Sequence, residues 1–336
     1  MYTRRDIRFK VIVRFAWKNI IIFLFWSTLV TFLFIYFLSK GTNIGIPFLP
    51  LTTIGIAVAF YLGFKNSQSY DRFWEGRKIW GGIVNYSRTW GNQVLSFIQN
   101  HPDSKMTDEE LINIKEAMVR RQLAWINSLR IQLRNTTIFD RKNISYTPDF
   151  GLKNDRECKD CIAFFLPEGE YEQVNDKANT AVHIIRKQGD ILDELNKKGL
   201  VNHFRHIDMM KSLEEFYNLQ GKCERIKNTP FPRQYAYFSS IFVWIFIFLL
   251  PFGLVEQFNE IKGQASVWLT IPFTVLIAWV FSTMEAVGDN SEDPFENYVN
   301  DVPISAICRT IEIDLLQMIG AKNIPPKLQP IDDVLL

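Results

Sequence analysis

Long uncharged stretches dominate the hydrophobic pattern of this chain. Four of them, each of at least 20 residues, contain no Asp, Glu, Lys or Arg. About 20 apolar residues in a helix, rising ~1.5 Å each, cross the hydrocarbon layer of a membrane. Lipid offers the backbone no hydrogen-bonding partner, so each stretch is predicted to be a helix. The pattern indicates a polytopic membrane protein with two pairs of transmembrane spans, at residues 19–38, 41–64, 234–255 and 263–284.

The helix of the second span is predicted to continue beyond the membrane. From residue 65 to residue 98 apolar positions recur at helical spacing, among them Phe73, Trp74 and Trp80, and no proline interrupts them. We therefore expect a single helix that runs from the bilayer far into the soluble region.

The remaining polar segments also indicate helices. Thr107, followed three residues later by Glu110, forms a capping box, which marks the start of a helix. No segment alternates between apolar and polar positions, so the fold is predicted to be all-α. Helical spacing covers residues 106–134, 175–227 with a break at 198–199, and 305–319, whereas residues 136–169 and 285–303 are predicted to be irregular.

Positive charge indicates the orientation in the membrane. Arg4, Arg14 and Lys18 are among six basic residues before the first span, whereas Lys40 is the one charge between spans one and two. The positive-inside rule places both termini and the soluble middle in the cytoplasm of a multi-pass cell-membrane protein. The predicted regions are a cytoplasmic N-terminal segment at 1–18, transmembrane helices at 19–64, a cytoplasmic helical domain at 65–233, transmembrane helices at 234–284 and a cytoplasmic C-terminal segment at 285–336.

Composition narrows the function classes. A net charge of +2 gives no reason to expect a nucleic-acid partner. The spans lack the ionisable groups that a proton- or ion-coupled transporter carries, and a passive pore needs none, because an apolar constriction gates by dewetting. No nucleophile–base set and no phosphate-binding loop supports a membrane-anchored enzyme. Four cysteines in a reducing compartment are expected to be free thiols.

Span two carries two neighbouring stripes. Small residues at every fourth position, Gly55, Ala59 and Gly63, form a ridge that lets another helix approach closely. The next stripe round the helix is apolar, and spacing alone leaves open whether it packs against another span or faces a pore axis. This second stripe consists of Ile56, Phe60 and Phe64.

Four separated motifs, in a fixed order, are similar to those of one family of ion channels. They are IAVAFYLGFKN at 56–66 followed by RFWEGR at 72–77, LAW at 123–125, CERIK with TPFP at 223–232, and EDPF at 292–295. Together they resemble the bestrophins, and most of all the bacterial branch. The resemblance implies a homopentamer in which the second span of each protomer lines one axial pore. It also implies a neck of three apolar rings at Ile56, Phe60 and Phe64, and a second, cytoplasmic constriction at or near Ile207.

The chain departs from the family at the calcium site of animal bestrophins, a run of acids just after the last span. Asp293 and Asp301 are in register with that run, but Asn297, Tyr298 and Val299 fill its middle. Calcium takes six or more oxygen ligands, several of them carboxylates. We therefore predict neither a calcium site nor any cofactor.

Two smaller motifs have both a functional interpretation and an ordinary structural one. Cys158 and Cys161 form a CxxC, but no second pair of ligands completes a zinc site, so they are interpreted as loop thiols. His203 and His206 share a helix face, which suits either metal binding and pH sensing or ordinary surface packing. Because His206 neighbours Ile207, its protonation would change the potential at the cytoplasmic constriction.

The sequence as a whole predicts an ion channel, not an enzyme, that passes small monovalent ions through a hydrophobic neck. Anions, chloride above all, are favoured. A cation channel of the same fold is the alternative, and a membrane-anchored sensor or enzyme is the second. The expected partners are other copies of the chain, membrane lipid and monovalent ions.

Overall fold

The computed structural model describes residues 1–4, 6, 9–100, 106–135, 160–262 and 264–336. These ranges are helical apart from loops and isolated β-bridges at the chain ends, which confirms the all-α prediction. A short 3₁₀ segment, Gln264–Leu269, precedes the ninth helix. The helices are α1 (Phe9–Ser39), α2 (Phe48–Phe97), α3 (Asp108–Arg134), α4 (Asp160–Ala163), α5 (Glu170–Asn175), α6 (Thr180–Lys197), α7 (His203–Asn228), α8 (Arg233–Lys262), α9 (Thr270–Asn290) and α10 (Ile304–Met318).

Four helices, α1, α2, α8 and α9, are long and apolar enough to cross a membrane. They correspond to the four predicted spans. Helix α8 packs against α2, α9 and α1, and α1 also packs along α9. An apolar cluster that includes Phe23, Val58, Leu62 and Phe246 joins the four. The Trp26 indole also donates a hydrogen bond to a carbonyl oxygen of α8.

Helix α2 connects this bundle to the described helices that are not candidate spans. Its 50 residues form one uninterrupted helix, about 75 Å long at the usual rise. The first half contacts α8 and α9, and the second half contacts α7, α10 and α3. A second core of buried side chains, with Trp80, Trp90, Trp125 and Phe216 among the largest, surrounds that second half. The prediction of a single long helix is confirmed.

The structure also confirms two predicted helix boundaries, the start of α3 and the break between α6 and α7. The hydroxyl of Thr107 accepts a hydrogen bond from the Glu110 N–H at 3.2 Å, and the Glu110 carboxylate accepts one from the Thr107 N–H at 2.8 Å. This is the predicted capping box at the start of α3. The predicted break near 198–199 separates α6 from α7, and Gly199 lies there at φ +71°, a conformation that glycine adopts without strain.

Two predictions need correction. The acidic segment from 285 is not wholly a loop, because α9 continues through Glu285 and Asp289 to Asn290; both carboxylates pair with a lysine of α2, which holds this last turn in place. The cysteines are not all free. Cys161 is disulfide-bonded; the bond requires a second sulfur within bonding distance, and the expected redox compartment does not reveal that proximity. Cys223 and Cys308 are free and buried, and Cys158 lies outside the described residues.

Candidate pore-lining site on helix α2

The three predicted neck residues lie together on the uncovered face of α2. Ile56 is 69% exposed, Phe60 80% and Phe64 48%. They follow one another at intervals of four residues, so they form a single stripe along the helix. Among the described residues, Phe64 is the one member of the stripe with an aromatic neighbour, since its ring centroid lies 6.2 Å from that of Tyr235. Within one chain, therefore, a row of large apolar side chains is left largely uncovered.

The opposite face of α2 fixes the direction of this stripe. Leu51, Val58 and Leu62 are buried in the cluster that contains Phe246 and Leu250 of α8. Between membrane helices such contacts act through close van der Waals packing and not through removal of apolar surface from water. Rotation of α2 about its axis would expose that face, so the rotational position of Ile56, Phe60 and Phe64 is set by the packing behind them.

The small-residue ridge is divided between two environments. Gly55 is buried, and a Cβ placed on it would lie 2.9 Å from the ring of Phe246. Ala59 and Gly63 are exposed, and a Cβ placed on Gly63 would meet nothing within 4 Å. Gly55 thus permits the close approach of α8 within the chain. Close packing of another helix at Ala59 and Gly63 stays a prediction.

A buried polar junction joins α2 to α9 immediately after the neck stripe. Lys65 is 1% exposed, and its ammonium group forms ion pairs with Glu285, at 3.3 Å, and Asp289. A lysine is rarely buried unless it is paired in this way. The amide of Asn66 donates to the Met284 carbonyl at 3.1 Å. A Cβ on Gly288 would overlap the Asn66 Oδ1, so a larger residue there would force the Asn66 side chain to move.

Sequence reasoning missed this junction. It gave Lys65 no role beyond its place in the motif at 56–66, and it assigned Glu285 and Asp289 to an irregular segment. One signal was available: the two acids are four residues apart, the spacing that places them on one face of a helix.

Arg72 makes a second connection between α2 and its surroundings. Its guanidinium donates to the carbonyl of Glu292 at 2.9 Å, to that of Thr229 at 2.9 Å and to that of Ile226 at 3.0 Å. It also lies 3.7 Å from the carboxylate of Asp293. One side chain therefore ties the middle of α2 to the end of α7 and to the loop after α9.

The two acids in register with the calcium site of animal bestrophins occupy different environments. Asp293 faces Arg72. Asp301 is buried, which raises its pKa to about 8, and the N–H of Tyr298 donates to its carboxylate at 3.0 Å. Glu296 pairs with Lys227. The part of the chain that the structure describes contains no cluster of three or more acids, histidines or cysteines that could hold a metal, and the lack of calcium binding stays a prediction.

The predicted cytoplasmic constriction lies on α7. Ile207 is 39% exposed and lines a groove of about 870 Å³ between α6 and α7. His203 and His206 line the same groove. The structure of one chain thus leaves Ile207 accessible, and its role as a constriction stays a prediction.

Comparison with known proteins shows a similarity over nearly the whole chain. Residues 5–317 match the family described as "Bacterial/Fungal Bestrophin protein". The voltage-dependent anion channel-forming protein YneE of Escherichia coli is 30% identical over 308 residues, which cover 90% of this chain and 88% of that protein. A voltage-dependent anion channel-forming protein of Mesorhizobium japonicum is 30% identical over 283 residues, 84% of this chain and 77% of that protein. A crystal structure of a bacterial bestrophin homolog from Klebsiella pneumoniae superposes with a TM-score of 0.75 at 25% identity, over 90% of this chain and 98% of that one.

Proposed function

The chain belongs to the bacterial and fungal bestrophin family, and from that premise we propose that it forms a homopentameric channel for small monovalent anions, chloride foremost. Family membership confirms the sequence predictions of an ion channel and of a protein that is not an enzyme. The four candidate spans agree with a protein embedded in a membrane. Ion sign, the pentamer and the position of the narrow neck belong to the proposal.

One observation carries the proposal, namely the exposed stripe of α2. If the exposed stripe stopped at the edge of the membrane, contact with lipid alone would explain it. The stripe instead continues on the same face of α2 beyond the apolar segment, where four more residues are exposed: Ser67, Asp71, Trp74 and Lys78. A continuous uncovered line that is apolar in the membrane and polar beyond it is what a helix beside an axial pathway requires.

The neck acts through the absence of polar groups. Rings formed by Ile56, Phe60 and Phe64 of several protomers would give a narrow apolar passage, and such a passage controls conduction by dewetting. The edges of phenylalanine rings carry partial positive charge, which favours anions that pass beside them. The names of the two relatives, both anion channel-forming proteins, support the same sign.

Pairing of the chain ends supports one orientation for both. The N–H of Thr3 donates to the Asp333 carbonyl at 2.9 Å, and the N–H of Leu335 donates to the Met1 carbonyl at 2.8 Å. Arg4 also pairs with Asp333 at 2.9 Å. The two segments therefore lie on the same side of the membrane. The basic residues before α1 favour the cytoplasmic side, and we assign the protein to the cell membrane with its soluble half inside.

Reconstitution tests this function directly. The purified protein is placed in a planar bilayer with a sodium chloride gradient, and the reversal potential is measured. A reversal potential near the chloride equilibrium value supports an anion channel, and one near the sodium value supports the cation-selective alternative. Absence of current from correctly inserted protein would contradict the channel itself. The mass of the detergent-solubilised particle, compared with the 39.3 kDa protomer, tests the pentamer.

A further inference from the structure

Beyond the neck, the exposed stripe of α2 acquires charge. From Phe64 the stripe continues at helical spacing through Ser67, Asp71, Trp74 and Lys78. Asp71 is its first ionisable residue, seven residues after Phe64 and therefore about 10 Å further along the axis. Lys78 is the next, about 21 Å from Phe64. The two charges stand on the same line as the neck.

Neighbouring charges on this part of α2 are engaged elsewhere. Lys65 is buried against α9, Arg72 is bound to backbone carbonyls, and Glu75 pairs with Arg225 at 2.7 Å. Arg77 is exposed but lies about 100° round the helix from Lys78. Among the described residues, neither Asp71 nor Lys78 takes part in an ion pair. Their charges are therefore not neutralised by the residues that the structure describes.

We propose that Asp71 is a selectivity-determining residue that lowers the preference of the channel for anions, and that Lys78 opposes it more weakly. This inference rests on the proposed function, in which α2 lines the pore. A ring of carboxylates just beyond the neck repels approaching anions and concentrates cations. The Debye length is about 8 Å at physiological salt, so the neck lies little more than one Debye length from Asp71 and more than two from Lys78.

The size of the effect follows from Coulomb's law. Five screened unit charges about 10 Å from the neck in water disfavour an anion and favour a cation by the same factor, so they bias the anion-to-cation permeability ratio by roughly 7-fold at 0.15 M salt. At 0.01 M salt, where the Debye length is about 30 Å, the same charges give a bias on the order of 100-fold. A change that grows as salt falls marks an electrostatic effect, whereas altered packing of α2 would change the ratio equally at both concentrations.

Reversal potentials of the full-length channel test the inference. We expect Asp71→Asn to raise the anion-to-cation permeability ratio roughly 7-fold at 0.15 M sodium chloride and by a larger factor at 0.01 M. Lys78→Gln should lower the ratio by a smaller factor. The matched control is Asp176→Asn, which removes the same charge from an exposed position after α5 and should leave the ratio unchanged.

The outcomes separate this inference from the proposed function. A wild-type protein that does not conduct overturns both. A conducting wild type whose ratio is unaltered by Asp71→Asn, or altered equally at both salt concentrations, overturns only the role of Asp71. If Asp71→Asn does not assemble, Lys78→Gln decides by itself, because a ratio that stays the same or rises at low salt refutes the charged stripe.

Discussion

Replacing Lys65 by Met removes the cation from the buried junction between α2 and α9. The side chain of Lys65 is 1% exposed, and those of its partners Glu285 and Asp289 are 15% and 19% exposed. Removing one member of a buried ion pair costs about 3–5 kcal/mol, chiefly because the opposite charge remains buried. Since both carboxylates retain some contact with water, we expect Lys65→Met to cost about 3 kcal/mol of unfolding free energy.

Variants of the two carboxylates that pair with Lys65 test whether the loss of stability comes from unbalanced charge. Glu285→Gln and Asp289→Asn each leave Lys65 with one carboxylate, so each should cost only about 1–2 kcal/mol. The triple variant Lys65→Met, Glu285→Gln, Asp289→Asn replaces every buried charge and should recover at least half of the loss, because the penalty of the single variant comes from unbalanced charge. Lys65→Arg keeps the charge and is the conservative control.

Thermal unfolding of the detergent-solubilised protein, followed by tryptophan fluorescence, ranks these variants. We expect the order wild type, single carboxylate variants, Lys65→Met, with the triple variant above Lys65→Met. If Lys65→Met unfolds at the wild-type temperature, or the triple variant is the least stable of all, the junction does not hold α2 against α9.

Two further predictions concern packing and burial. Gly55→Leu should prevent correct folding of the protomer, because even a Cβ at this position would lie 2.9 Å from Phe246. Gly63→Leu has open space around it and should leave the protomer folded while weakening assembly. Size-exclusion chromatography in detergent separates the two effects, and equal behaviour of both variants would contradict a ridge divided between two environments. Burial raises the pKa of Asp301 to about 8 from about 3.9 in an unfolded chain, so the unfolded state releases this proton first as pH rises. Its stabilising contribution is therefore complete below about pH 4 and is lost as pH rises to about 8, with a slope of at most about 1.4 kcal/mol per pH unit. Asp301→Asn should abolish that slope in unfolding measured between these pH values, and an unchanged slope would show that Asp301 is ionised in the folded protein.

Features encoded by local pattern were predictable from the sequence. The lengths of the uncharged stretches defined the four spans, the missing proline between residues 65 and 98 defined the continuity of α2, and Thr107 with Glu110 defined the start of α3. Each depends on residues close together in the chain, where helical spacing and capping chemistry act directly. The grouping of Ile56, Phe60 and Phe64 on one face belongs to this class, since they are one helical turn apart, and their role as a neck stays a prediction.

Features that depend on contacts between distant segments were not predictable. Lys65 and Asp289 are far apart in the sequence, and no local pattern shows that a lysine after a span meets acids at the end of another helix. The ridge shows the same limit. Spacing grouped Gly55 with Gly63, but only the packing of α8 decides that Phe246 covers one and not the other. The need for a small residue at Gly288 likewise becomes evident only from its contact with Asn66.

The central claim is that the exposed stripe of α2 lines the conducting pore. Replacing Ile56, Phe60 and Phe64 together by Ala should widen the neck and remove its dewetting barrier. Because these side chains are exposed within the chain, the triple variant should fold normally. The matched control is the triple Ala variant of Phe25, Leu29 and Phe32, a comparably exposed apolar stripe on α1.

Single-channel conductance of the two triple variants in planar bilayers, compared with the wild type, tests the claim most directly. We expect the α2 variant to conduct more than the wild type and the α1 variant to match the wild type. A correctly assembled α2 variant with unchanged conductance, or an equal increase in both variants, would contradict a pore lined by α2.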